Sequence, residues 1–95
     1  MREKIKIVDL MKRLELPNYA QFVGFVVHLP HSDEFLSHYT YNDFGEGFIW
    51  SKVPDLAHSF ESQSKAEKFV KSYRKSSVVG LLFDLGDSYS LHLAD

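Results

Sequence analysis

Residues 64–85 constrain the fold more than any other part of the chain, because they contain the start, the buried face and the end of a helix, followed by a strand. Ser64 and Glu67 have the S-x-x-E spacing of a capping box, in which the hydroxyl and the carboxylate each accept a hydrogen bond from a free amide of the first turn. The apolar residues after Ser64 recur at i, i+3, i+4 and i+7, which places them on one face: Ala66, Phe69, Val70 and Tyr73. We therefore expect a helix that begins at Ser64 and needs a cover for this face.

The residues after this face indicate what covers it. Lys71, Arg74 and Lys75 stand where the carbonyl end of a helix favours cations. The apolar pattern then changes to that of a strand over 78–83. A strand that directly follows an amphipathic helix predicts a sheet beneath the helix.

A second helix is predicted near the start of the chain, from Glu3 to Leu16. Its apolar residues again lie at helical spacing: Ile7, Leu10, Met11 and Leu14. Pro17 is expected to end this helix, because the residue before a proline is pushed out of the α region. The run from Ile5 to Val8 is also typical of a strand, so a strand there is the alternative.

Five stretches predict strands: 22–29, 35–41, 48–50, 78–83 and 88–93. The first is apolar on both alternating sets, as expected of a central strand that is covered on both faces. Gly24 within it indicates a bulge, or the close approach of another backbone or of a large ring. For the second stretch, a short helix capped by Ser32 is the alternative to a strand.

Turn-forming residues separate these strands. The segment 42–47 is dense in Asn, Asp and Gly and predicts the loop of a hairpin, and residues 86–87 predict a two-residue type II′ turn. Pro54 opens a short turn or a single helical turn. The apolar residues after this proline are expected to point towards the core: Leu56, Ala57 and Phe60.

The predicted order is one helix, three strands, one helix and two strands. Short hairpins can join every successive pair of strands except the pair that flanks the second helix. We therefore expect an α+β fold with a mostly antiparallel sheet of four or five strands and two helices packed on it. Ninety-five residues, 44% of them hydrophobic, suffice for one core, so residues 1–95 are expected to form a single domain.

Composition also bears on location. The chain has no cysteine, which excludes disulfides, thiolate metal sites and cysteine nucleophiles. No run approaches the ~20 apolar residues of a membrane span, and charges interrupt the first residues too often for a signal peptide. We therefore expect a cytoplasmic protein with no membrane partner.

The net charge of −2 is unevenly divided along the chain. Residues 1–16 carry +2 and residues 62–76 carry +4, whereas residues 17–61 carry −5 and residues 77–95 carry −3. The helices are thus predicted to be basic, and the strands with their loops acidic. This division is typical of solvated helix surfaces. The alternative is a molecule with a basic side and an acidic side that meet oppositely charged partners.

The sequence indicates no catalytic site. Serine, histidine and aspartate are present without the G-x-S-x-G elbow of a hydrolase, and the segment 45–47 lacks the spacing and the lysine of a phosphate loop. The side chains that supply atoms for zinc are His28, His31 and His38, with Asp33 and Glu34 between them. Pro30 forces a turn between His28 and His31, against the spacing of a metal site. We predict no cofactor and no enzymatic activity.

Two groups of residues are candidates for contact with a partner. Aromatic rings flanked by charge resemble interface hot spots, and the predicted hairpin has this pattern: Tyr39, Tyr41, Asp43, Phe44 and Glu46. Packing within the sheet is the alternative role for its tyrosines. A basic helix face would instead bind nucleic acid: Lys65, Lys68, Lys71, Arg74 and Lys75. A protein partner is preferred, because a pI of about 6.2 is low for a nucleic-acid-binding domain.

The second half of the chain contains a strand that ends near a tryptophan, an A-x-x-F turn and a capped helix with A-x-x-x-V: Trp50, Ala57, Phe60, Ser62 or Ser64 as the cap, Ala66 and Val70. With the last two strands, this arrangement over residues 48–93 resembles short phage and prophage accessory proteins. The resemblance implies a viral protein that inhibits a host defence protein in the host cytoplasm, as anti-CRISPR proteins do.

The acidic hairpin suggests how such an inhibitor would act. Its carboxylates would imitate phosphates in the basic groove of a complex that handles nucleic acid. A monomer and a homodimer are both open, because the apolar central strand or an exposed sheet edge is able to pair two copies.

Overall fold

The computed structural model of the protein describes residues 7–43, 45–73 and 76–94, with the backbone alone at positions 41, 42 and 46. It contains two helices, five strands and one 3₁₀ turn: α1 (Ile7–Arg13), β1 (Gln21–Leu29), β2 (Glu34–Asn42), β3 (Gly45–Ser51), the 3₁₀ turn (Pro54–Leu56), α2 (Gln63–Ser72), β4 (Val78–Asp84) and β5 (Tyr89–Leu93). The predicted α+β class and the predicted order of elements are confirmed.

The strands form one antiparallel sheet in the order β3-β2-β1-β4-β5. β1 is central, as its apolar pattern predicts, and its neighbouring residues Val26 and Val27 are both 0% exposed. β2 is a strand throughout, so the alternative of a helix that begins near Ser32 is wrong. The aromatic and β-branched residues of β2 favour this extended backbone.

The two faces of the sheet carry different cores. On one face, side chains from both helices pack with alternate residues of the strands, around Phe25, Leu36, Phe69 and Phe83. On the other face, a smaller cluster contains Val26, Phe35 and Leu82, with Ala57 and Leu91 packed against it.

α1 does not end at Pro17. The amide of Leu16 donates to the Met11 carbonyl at 3.0 Å, and the amide of Glu15 donates to the Lys12 carbonyl at 3.1 Å. With Glu15 at a φ of 57°, these bonds form a Schellman motif, which satisfies the last helical carbonyls. The Schellman motif therefore ends the helix, at a position before Pro17.

Part of the N-terminal prediction lies outside the described residues, namely residues 3–6. Residues 7 and 8 are helical, so the alternative of a strand is wrong for this half of the 5–8 segment. No helix in the described ranges is both long and apolar enough to cross a membrane.

α2 begins two residues earlier than the capping-box pattern predicts. Ser62 is its N-cap, because the Ser62 hydroxyl accepts a hydrogen bond from the Lys65 amide at 3.3 Å. The Glu67 carboxylate accepts a hydrogen bond from the Gln63 side chain at 3.1 Å, within the helix. The prediction of Ser64 as the cap was wrong, because the backbone is already extended at Ser62 and turns there into the helix.

The buried face of α2 is confirmed, although the helix is shorter than predicted. Ala66 and Phe69 are 0% and 5% exposed. Tyr73 has an extended backbone and follows the last helical turn, yet its ring still packs on Phe48 of β3 at 5.0 Å. Residues 74 and 75, which the prediction placed near the end of the helix, lie outside the described residues.

The pairing of β1 with β2 stops soon after the hairpin that joins them. Only His28↔Phe35 and Leu29↔Glu34 are paired, whereas β1 pairs with β4 at seven positions. We call the gap beyond these two pairs the open seam. Along this gap β2 remains paired with β3, with one bulge after Leu36.

Residues 57–60 fill the open seam, and we call them the insert. Phe60 exchanges two backbone hydrogen bonds with Phe25 of β1, and the His58 amide donates to the Leu36 carbonyl of β2 at 2.8 Å. The insert passes from one face of the sheet to the other, because Ala57 packs in the smaller cluster and Phe60 in the helix-covered core. Backbone groups that the separated strands leave unpaired thus find partners.

Gly24 lies where the insert crosses β1. The strand is irregular between Phe22 and Gly24, and a Cβ atom on Gly24 would be 2.7 Å from the Ser59 Cβ. Both features that the sequence indicates for Gly24, a bulge and a close approach, are therefore present.

The 3₁₀ turn that precedes the insert corrects one core prediction. Leu56 was expected to point towards the core but is 58% exposed. A hydrogen bond from Tyr89 of β5 to the Asp55 carboxylate fastens the turn, and it raises the pKa of Tyr89. We call this contact between Tyr89 and Asp55 the tether; the Leu56 side chain in the same turn faces solvent.

Candidate ligand groove

A groove of about 420 Å³ lies between α2 and β2, beside the insert. Its lining comes from all three elements: Tyr39 of β2, Phe60 of the insert, and Lys65, Lys68, Phe69 and Ser72 of α2. The four α2 residues lie at i, i+3, i+4 and i+7, so they share one side of the helix. The groove lies beside the insert, where β2 is no longer paired with β1.

Three aromatic rings form the floor of the groove. The ring centroid of Tyr39 is 6.1 Å from that of Phe60 and 5.3 Å from that of Phe69, and the two phenylalanine rings are 6.2 Å apart. Phe60 and Phe69 are 8% and 5% exposed, whereas Tyr39 is half-buried. A ligand would therefore meet small exposed parts of the two phenylalanine rings and more of the tyrosine, in an apolar surface packed on the core.

His58 supports this floor from the side. Its ring lies 5.5 Å from the Tyr39 ring and 4.7 Å from the Phe60 ring, and it is nearly perpendicular to both. Its backbone amide is fixed to β2. The imidazole thus holds the tyrosine and the phenylalanine in their relative positions.

The rim of the groove on the α2 side is cationic. Lys65 Nζ lies 2.9 Å from a Glu61 carboxylate oxygen, and both side chains are largely exposed. This hydrogen bond and the lysine charge lower the pKa of Glu61. An exposed pair of this kind is weak and is exchanged with solvent at little cost. Among the described residues, no carboxylate lies within ion-pair distance of Lys68.

Ser72 closes the end of the lining along α2. Its hydroxyl donates to the Phe69 carbonyl at 2.9 Å, so it is already engaged within the last turn. The groove therefore offers a ligand an apolar floor and two ammonium groups.

The structure divides the predicted protein-contact residues. Tyr39 lies in the groove, while Asp43 is exposed at the turn of the β2–β3 hairpin, roughly 13 Å along the strand. The backbone of Tyr41 pairs with that of Glu46, and the side chains of both lie outside the described part, as does Phe44. The Tyr39 ring contacts His58 and Phe60 of the insert and Phe69 of α2.

The predicted nucleic-acid face is also divided. Lys65, Lys68 and Lys71 are exposed on α2, but only the first two line the groove. Arg74 and Lys75 lie outside the described residues. Tyr39 of one predicted group and two lysines of the other thus belong to a single site.

The histidines considered for zinc lie in separate surroundings. His28 is buried, and its Nε2 is 2.9 Å from Asp33 Oδ1, while His31 and His38 are exposed. Within the ranges that the structure describes, no three ligating side chains come together to hold a metal ion.

Ser90 and His92 of β5 form a second polar pair. The Ser90 hydroxyl is 2.6 Å from His92 Nε2, and the imidazole lies 5.8 Å from the Phe83 ring. A nucleophile–base pair needs a third group that orients the base. In the described part of the chain, no carboxylate bonds to His92.

Sequence reasoning missed Phe60, Phe69 and His58 as parts of a site. The first two were predicted as core residues, which they also are. The sequence did contain one indication of the site, because Lys65 and Lys68 lie at helical spacing beside Phe69 and so share one helix face. The contact with Tyr39 across the open seam has no counterpart in the local sequence.

No protein-family model, curated protein sequence or solved structure matches this chain. The assignment of a function therefore rests on the groove and on the residues around it.

Proposed function

We propose that the protein is a non-enzymatic binding module that holds part of a partner protein in the groove between α2 and β2. One observation carries this proposal: an apolar floor of Tyr39, Phe60 and Phe69 lies directly beside the exposed Lys65 and Lys68. Aromatic floors with a charged, wet rim are typical of the centres of protein interfaces.

The burial of the rings favours a protein over a nucleic acid. Bases stack on open ring faces, whereas Phe60 and Phe69 are nearly covered by their own core. The net charge of −2 would also weaken the attraction of a polyphosphate to the chain. An inserted side chain needs only apolar contact, which the lining aromatic residues offer.

Nucleic-acid binding is the second candidate, supported by the row of exposed lysines on α2: Lys65, Lys68 and Lys71. The measurement is fluorescence anisotropy with labelled duplex and single-stranded DNA at 20 and 200 mM salt. Binding that falls by orders of magnitude over this range would support this candidate. No binding at 20 mM salt would remove it.

The phage-type role is a proposal about which protein is bound. It rests on the resemblance of residues 48–93 to small phage accessory proteins, and it makes the partner a host defence protein. Expression of the chain in a CRISPR-protected bacterium, followed by phage infection, tests it. Restored plaque formation is expected, and unchanged protection across the major CRISPR types would reject the anti-CRISPR assignment.

The acidic hairpin tip is an alternative contact surface on the same module. If Asp43 and Glu46 imitate phosphates, reversing both charges should abolish binding of the partner, and nucleic acid should compete for it. If the groove is the contact surface, the same double variant should bind within about twofold of the wild type, because exposed charges away from an interface contribute little.

The groove itself is tested by comparing captured proteins. The wild type, the Lys65→Glu/Lys68→Glu variant and the matched Lys71→Glu variant are used as baits in a cell lysate, and bound proteins are quantified by mass spectrometry. We expect a partner that the wild type and Lys71→Glu both retain and that the double variant retains about tenfold less. Equal retention by all three baits would contradict the proposed site.

A further inference from the structure

We infer that the groove recognises an acidic and apolar segment of the partner, in which one large apolar side chain enters the groove and a neighbouring carboxylate meets Lys65 and Lys68. This inference rests on the proposed function and specifies the chemistry of what is bound. It follows from the size of the groove, the spacing of the two lysines, and the charge of the whole chain.

The groove is large enough for one large side chain of the partner and the backbone atoms next to it. Its volume of about 420 Å³ lies near the lower end of the 300–1,000 Å³ typical of ligand pockets. The floor is formed by Tyr39, Phe60 and Phe69, so an aromatic or branched aliphatic group finds apolar contact on it.

The two lysines are spaced to act on one anion. Lys65 and Lys68 are three residues apart on α2, where Cβ atoms are about 5–6 Å from each other. Both side chains are exposed and both line the same groove. Long ammonium stems at this spacing can converge on a single carboxylate at the groove entrance.

The chain already contains an example of this contact. Glu61 approaches Lys65 to 2.9 Å, and the lysine lowers the pKa of that carboxyl. Because Glu61 is 86% exposed, a carboxylate from a partner is able to take its place without uncovering buried charge. Lys68 has no such partner among the described residues, so it is available to the ligand.

The charge of the rest of the molecule narrows the ligand class. The chain carries −2 overall, with −5 over residues 17–61, so a large polyanion is repelled beyond the two lysines. One or two carboxylates beside an apolar group avoid this repulsion, because exposed charges interact only over about 10 Å at ordinary salt. A protein segment with an acidic residue next to an aromatic or aliphatic residue has this composition.

Three probes of the same shape test the inference: 3-phenylpropanoate, its neutral amide 3-phenylpropanamide, and the cation 3-phenylpropylammonium. Each is titrated into the ¹⁵N-labelled full chain at pH 7, and amide shifts of Lys68, Phe69 and Ser72 report occupancy of the groove. We expect saturable shifts with the carboxylate, roughly fivefold weaker binding of the amide, and still weaker binding of the cation.

Variants show whether the preference comes from the rim. Lys65→Gln/Lys68→Gln should bring the carboxylate to within about twofold of the amide, while the matched control Lys71→Gln should keep the fivefold preference. Both substitutions are on the exposed side of α2, so the fold is expected to persist, and the ¹⁵N spectrum checks this.

The outcomes separate this inference from the proposed function. Equal affinity for the three probes, or tighter binding of the cation, overturns the acidic class but leaves the groove as a binding site. No saturable shift with any probe also overturns the inference. The proposed function is judged by the capture experiment with charge-reversed baits, which fails or succeeds whichever probe is preferred.

Discussion

The central strand β1 has two different neighbours. On the β4 side, seven residue pairs run from Gln21↔Asp84 to His28↔Val78, interrupted by one bulge. On the β2 side, pairing ends after two residues, and the insert supplies the remaining contacts. We call the seven β1–β4 pairs the continuous seam, and most of their side chains belong to the core. The groove lies beside the open seam, on the β2 side of β1. In this molecule the candidate site arises where regular pairing stops.

The largest expected effect tests whether the insert holds the open seam together. Phe60→Ala removes a nearly buried ring that packs against Tyr39 and Phe69, so we expect a loss of about 3–5 kcal/mol of unfolding free energy, measured by urea denaturation. Leu82→Ala, beside the continuous seam, should cost about 2–5 kcal/mol yet leave binding of 3-phenylpropanoate intact. A loss below about 1 kcal/mol for Phe60→Ala would show that the insert is not structural.

Gly24→Ala tests the crossing of the insert over β1. The added Cβ would be 2.7 Å from Ser59 at a backbone φ of +154°, so strain and overpacking together should cost about 2–4 kcal/mol. The control is Gly45→Ala, where φ is also positive but no atom of the described residues beyond its chain neighbours lies within 4 Å of the added Cβ. That substitution should cost about 1–2 kcal/mol. Equal losses for the two variants would mean that the insert does not press on β1.

Ser62→Ala tests the N-cap of α2, which directly follows the insert. The Ser62 hydroxyl caps the helix, so its removal should cost about 1 kcal/mol. Ser64→Ala, at the position that the capping-box pattern favours, should change the unfolding free energy by less than about 0.5 kcal/mol. A larger drop in melting temperature for Ser64→Ala than for Ser62→Ala would show that Ser64 is the cap.

The smallest effect concerns the tether on the other face of the sheet. The hydrogen bond to Asp55 raises the pKa of Tyr89, so this contact stabilises the folded state below the unfolded pKa of about 10. The contribution is lost as pH rises through the raised folded value. Tyr89→Phe should therefore lower the melting temperature slightly at pH 7 and leave it unchanged well above pH 10.

Tyr19→Phe is the matched control for this tether, because its ring is 66% exposed. Among the described residues, its hydroxyl has no hydrogen-bond partner. The control should melt like the wild type at both pH values. A Tyr89→Phe variant that melts like the wild type at pH 7 would show that the tether to the 3₁₀ turn is not formed in solution.

The sequence predicted the regular parts of the fold well, because hydrophobic periodicity is local. The central position of β1, the antiparallel sheet and the buried face of α2 were expected, as was either a bulge or a close approach at Gly24. The errors fall at the ends of elements: Ser64 was predicted as a cap in place of Ser62, and Pro17 as a helix terminator in place of the Schellman motif. Individual hydrogen bonds set the position of a helix end, such as the bond from the Lys65 amide to the Ser62 hydroxyl. Residues with similar capping ability stand near one another in the sequence, so the pattern alone does not place the end.

The candidate site was less predictable than the fold. The insert contains Ala57, His58, Ser59 and Phe60, which have no strand pattern, and its pairing with β1 and β2 depends on contacts distant in sequence. Leu56 was placed in the core for the same reason, because the tether between Asp55 and Tyr89 is not visible locally. Tyr39, Lys65 and Lys68 were each recognised as contact residues, but only the fold brings them together.

The central claim is that the partner contacts the groove beside the open seam. Amide hydrogen exchange of the full chain, alone and in complex with the captured protein, tests this most directly. We predict slower exchange on binding in the insert, in α2 from Lys65 to Ser72 and around Tyr39, with β4 and β5 unchanged. Slower exchange confined to β4 and β5, or to the hairpin turn at Asp43, would contradict it.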